Sequence, residues 1–156
     1  MLYPVDIADR SLPLDIHQPT PVFLGIVKNA GLLDLIEPQA VSYLAYYSGG
    51  ILRNFVSSLR EACKHVYMDG EDKIAMRTAE SVIQSARQSY NSYSMNELQL
   101  LSELETDNTG LGHAATVLRS PIGLLVNLGN DGEEKLRVHP LAELAVSKYR
   151  RRLSRA

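Results

Sequence analysis

Apolar residues recur along most of this chain at three- and four-residue steps, punctuated by proline and glycine, and that rhythm predicts successive helices. Pro21 opens the first, with Val22, Phe23, Ile26, Val27 and Ala30 in one stripe before Gly31. Pro38 opens the second, with Ala40, Val41, Leu44 and Ala45 inward and Gly49-Gly50 at its end. The third has the clearest pattern: Leu52, Phe55, Val56, Leu59, Ala62, Cys63 and Val66, closed by Asp69-Gly70. A fourth runs from about Ala75 to Tyr90, with Ala79, Val82, Ile83 and Ala86 inward. Residues 1–17, broken by Pro4 and Pro13, read as an extended connector.

Asn91-Ser92 reads as a joint. Ser94 and Glu97 then have capping-box spacing, and Met95, Leu98, Leu101 and Leu104 follow on one face. After the turn at 106–110 comes a short helix from about Leu111 to Arg119. The period changes at Leu124–Leu128 and again at Lys135–His139, two β-type runs around Gly129-Asn130-Asp131-Gly132, which predicts a hairpin. Pro140 starts a last helix with Leu141, Leu144, Ala145 and Tyr149 on its face. The expected fold class is therefore mainly α: a four-helix domain over residues 18–91, then a winged helix-turn-helix with a two-stranded β-hairpin and a basic tail over 92–156.

Composition narrows the field little. The chain has 156 residues, 45% hydrophobic and 22% charged, with a net charge of −2. These values exclude a disordered or collagen-like chain and show no global basic field for nucleic acid. The single cysteine, Cys63, excludes an internal disulfide and reads as a small core residue. The charged and proline-bearing first twenty residues do not read as a signal peptide. No apolar run has the length of a membrane span. The expectation is a cytoplasmic protein without membrane contact.

One constellation stands out. Ser48-Gly49-Gly50-Ile51-Leu52-Arg53 lies where a loop enters the strongest helix, followed by Arg60-Glu61-Ala62, Lys73-Ile74 and Gln84-Ser85-Ala86. The stretch from about Ile16 to Ala86 resembles the helical lid of AAA+ ATPases, above all initiator-type ATPases and the related signal-transduction NTPases. In those families a winged helix follows the lid, and Val138-His139-Pro140-Leu141 resembles their join between wing and last helix. The resemblance implies that Arg53 is the sensor arginine that reaches the terminal phosphate of a nucleotide held by a separate core domain. A helix start with two glycines, Gly49 and Gly50, can offer backbone N–H groups to an anion, and a guanidinium there adds a bidentate donor. The plain alternative is a solvated arginine after a glycine pair.

The chain departs from the family in one decisive respect. No glycine precedes a lysine, so there is no G-x-x-x-x-G-K-[ST] loop, and no apolar strand ending in acidic pairs precedes the lid. The expectation is a non-catalytic module that binds no cofactor alone, with ATP bound only alongside a missing nucleotide-binding domain. The partners implied are that domain of a parent ATPase, or another protein; a homo-oligomer stays open.

Other residues offer less. His17, His65, His113 and His139 lack metal-ligand spacing, and no serine has a G-x-S-x-G context. The carboxylate pairs Glu71-Asp72, Glu103 with Glu105, and Glu133-Glu134 sit in turns or at helix ends. Tyr43, Tyr46 and Tyr47 read as packing residues with few basic neighbours.

Candidate contacts to nucleic acid or a partner are Arg119, Lys135, Arg137, Lys148, Arg150, Arg151 and Arg152. DNA is possible but not favoured, because Glu97, Glu103, Glu105, Asp107, Asp131, Glu133 and Glu134 surround the recognition segment. Five basic residues fall within 148–156, so the remainder of the chain carries −7. Two readings from other classes remain beside the lid: a standalone winged-helix DNA-binding regulator, and a small helical adaptor that binds protein through the Tyr43–Tyr47 face.

Overall fold

The computed structural model describes residues 21–89, 94–104, 124–128 and 134–156. These residues are mainly helical. Among them run α1 (Pro21–Asn29), α2 (Pro38–Tyr47), α3 (Leu52–Asp69), α4 (Met76–Ser89), α5 (Met95–Leu104) and α6 (Pro140–Ser154), with β1 (Leu124–Leu128) and β2 (Glu134–Val138) before α6. The chain divides into two compact units between Ser85 and Ala86, within α4 and ahead of the joint expected at Asn91-Ser92.

In the first unit, each helix contributes apolar residues that recur at helical spacing. Phe23 and Val27 of α1, Ala40, Val41 and Leu44 of α2, Phe55, Leu59 and Ala62 of α3, and Ala79, Val82 and Ile83 of α4 are all buried. The Phe23 and Phe55 rings meet at 4.8 Å between centroids with a 59° tilt, an arrangement aromatic quadrupoles favour. The ends of the helices are fixed by specific bonds. Glu37 precedes α2 and also caps α4: its Oε2 accepts from the Met76 N–H at 3.0 Å, across 39 residues of sequence. Beside it, Ile36 and Ile74 form a parallel bridge, with Ile74 N–H donating to Leu35 O and Glu37 N–H to Ile74 O. At the end of α3, Gly70 adopts φ 67°, and Glu71 N–H donates to Val66 O, the six-to-one bond of a Schellman motif.

The apolar stripe expected on α3 splits in two. Phe55, Leu59 and Ala62 are buried, but Leu52 (40% exposed) and Val56 (39%) open outward, and Cys63 and Val66 are half-buried. At about 100° per residue the line Leu52, Val56, Cys63 is rotated from the line Phe55, Leu59, Ala62, and only the second is buried in the core of the first unit.

In the second unit, α5 begins with a reciprocal capping box. Ser94 N–H donates to Glu97 Oε2 at 2.7 Å, and Glu97 N–H donates to Ser94 Oγ at 3.2 Å. Leu101 is fully buried, whereas Met95 is exposed. Strands β1 and β2 pair antiparallel, with Leu124 opposite Val138 and Leu128 opposite Glu134. His139 is buried and caps α6: its Nδ1 accepts from Leu141 N–H at 3.1 Å, and Pro140 occupies the first turn, where a missing N–H costs nothing. The buried face of α6 is Leu141, Ala142, Val146 and Tyr149; Leu144, expected inward, points out, because it lies across the helix from the Ala142–Val146–Tyr149 row. The helix expected over 111–119, the connector 1–17 and the turn at 129–133 lie outside the described residues.

Candidate functional site

The segment Ser48–Arg53 reverses the chain between α2 and α3, and its backbone shows why. Gly49 and Gly50 adopt φ 66° and 80°, a left-handed conformation that side chains with a Cβ resist. Ser48, 1% exposed, ties the reversal together: its hydroxyl donates to Ala45 O at 2.6 Å and accepts from Gly50 N–H at 3.2 Å. Gly49 N–H donates to Tyr46 O, and Ile51 N–H to Ser48 O.

These bonds place the free donors differently from the sequence expectation. The glycine N–H groups are taken up inside the turn, so Gly49 and Gly50 shape the site rather than offer donors to an anion. The first helical bond runs from Phe55 N–H to Ile51 O. The donors left over at this helix end are the N–H groups of Leu52, Arg53 and Asn54, and the Ile51 cap supplies no side-chain acceptor for them. Arg53 lies at the second helical position and is exposed, with no ion-pair partner among the described residues. No acidic residue occupies the first turn of α3. The helix dipole makes this end positive, and Arg53 adds to it, so the site is an uncompensated cationic surface.

The other sequence candidates fall in different places. Arg119 lies outside the described residues. Lys135 and Arg137 are on β2, opposite Asn127 and Leu125. Arg150 is half-buried and donates to Ser102 O at 2.7 Å, which fixes it within the second unit. Lys148, Arg151 and Arg152 are exposed on α6. Tyr43, Tyr46 and Tyr47 are half-buried and their rings touch, Tyr43–Tyr47 tilted at 54° with centroids 4.8 Å apart and Tyr46–Tyr47 edge-to-face at 84° and 5.0 Å.

The first unit also holds an apolar groove that no motif in the sequence signals. It is an open groove of about 230 Å³ lined by Leu32, Leu35, Cys63, Val66, Tyr67 and Ile74 together with Glu71 and Asp72. Burial pushes the Cys63 thiol pKa up, which keeps it protonated. Among the described residues, no cluster of three or more His, Cys, Asp or Glu gathers as metal ligands do, and no helix is long and apolar enough to cross a membrane.

No protein-family model, curated protein or solved structure matches this chain.

Proposed function

We propose that this chain is a phosphate-sensing and interaction module, the helical lid and winged helix of an AAA+-like ATPase. In this reading β1, β2 and α6 belong to the wing and its closing helix. Arg53 completes a nucleotide site whose phosphate cradle is built by another domain, and the chain alone turns over no ATP. The observation that carries the reading is the start of α3: an exposed guanidinium beside three unclaimed N–H donors, with no acidic residue in that first turn. Among the described residues, the order of α1–α4, then α5, a strand pair and a closing helix agrees with it.

The test is a titration of the chain with ATP, followed through backbone amide resonances. The expected result is no stable complex, only a fleeting phosphate contact on the order of millimolar, with shifts centred on Leu52, Arg53 and Asn54. Arg53→Ala abolishes the response and Arg53→Lys retains part of it, because an ammonium keeps the charge but not the fork. Shifts that ignore residue 53 contradict the proposal.

A further inference from the structure

The exposed side of α6 carries a second cationic feature, distinct from Arg53 and independent of the reading above. Leu144, Lys148, Arg151 and Arg155 follow at steps of four, three and four residues, which aligns them along one helix face. Arg152 stands beside that line. All five side chains are exposed, Leu144 at 43%. After Glu143 the chain contains no acidic residue, and among the described residues no carboxylate pairs with Lys148, Arg151, Arg152 or Arg155. The ridge extends about 16 Å from Leu144 to Arg155.

A helix C-terminus attracts cations through its dipole, and that accounts for Arg151, Arg152 and Arg155. It does not account for Lys148, which lies further from the end, since the effect fades within the last turn. Nor does it account for an exposed leucine at the head of the line. Lys148 with Arg152, and Arg151 with Arg155, are like charges one turn apart, a mildly destabilising arrangement that an anionic partner would relieve.

We propose that this ridge docks an acidic protein segment, with an apolar side chain seated on Leu144 and carboxylates along Lys148, Arg151 and Arg155. Charge argues for such a segment rather than nucleic acid. The rest of the chain carries −7, which opposes the long uniform charge of a duplex but not a short segment that touches only the ridge. The leucine has a role against a peptide and none against phosphates.

The experiment uses the full chain and a fluorescent peptide with one leucine followed by a run of glutamates, read by anisotropy at low salt. The peptide binds, and binding fades as salt rises. The double variant Arg151→Glu, Arg155→Glu weakens it at least about tenfold. Leu144→Ser weakens it severalfold, and circular dichroism shows the same helix content in every variant. The proposal is overturned if the peptide does not bind, if the charge-reversed chain binds equally, or if duplex DNA at the same ionic strength binds more tightly than the peptide.

Discussion

Ser48 uses its hydroxyl twice, as donor to Ala45 and acceptor from Gly50, and with the two glycines it turns the backbone so that Arg53 emerges at the start of α3. Gly50→Ala forces a Cβ into a left-handed conformation and should cost about 1–2 kcal/mol, read as a lower urea midpoint at unchanged slope. Arg53→Ala, exposed and unpaired, should leave that midpoint within about 0.5 kcal/mol of the parent. The contrast separates the residues that build the turn from the one that faces outward. Cys63 gives a pH test. Its folded pKa is raised by burial, so the folded chain holds the thiol proton above the pH where the unfolded chain has lost it. Stability therefore declines as pH rises past about 8.5, the ordinary thiol value, and Cys63→Ser flattens that decline. The same burial slows alkylation by iodoacetamide in the native state relative to urea.

Element boundaries were largely legible in the chain because they rest on local chemistry. Pro21, Pro38 and Pro140 open helices where a missing N–H does no harm, and Ser94 with Glu97 announces α5. What the sequence could not reveal is contact between distant segments. Glu37 reads as an ordinary surface acid before α2, yet it also caps α4. Which apolar residues of a wide stripe turn inward depends on neighbours that no helical period encodes, so Leu52, Val56 and Leu144 were expected inside and stand outside. Arg53 was legible as a candidate; the occupation of the Gly49 and Gly50 N–H groups was not, since it depends on the turn's three-dimensional closure. Glu37→Ala removes a helix cap and should destabilise the first unit by about 1 kcal/mol. Ser94→Ala should cost a similar amount in the second, visible as faster amide exchange at the start of α5.

At the scale of the molecule, charge is uneven. The basic end of α6 sits on a chain otherwise at −7, while the start of α3 forms a second, smaller cationic point. Two such places are what the proposed module would use to meet anions held by other proteins. The most direct measurement compares adenosine, AMP and ATP against the full chain, following the side-chain Nε–Hε resonance of Arg53. A phosphate-reading Arg53 gives no response to adenosine, a small one to AMP and the largest to ATP. An equal response to all three, or a phosphate-dependent response at residues remote from Leu52–Asn54 with Arg53 unmoved, contradicts it.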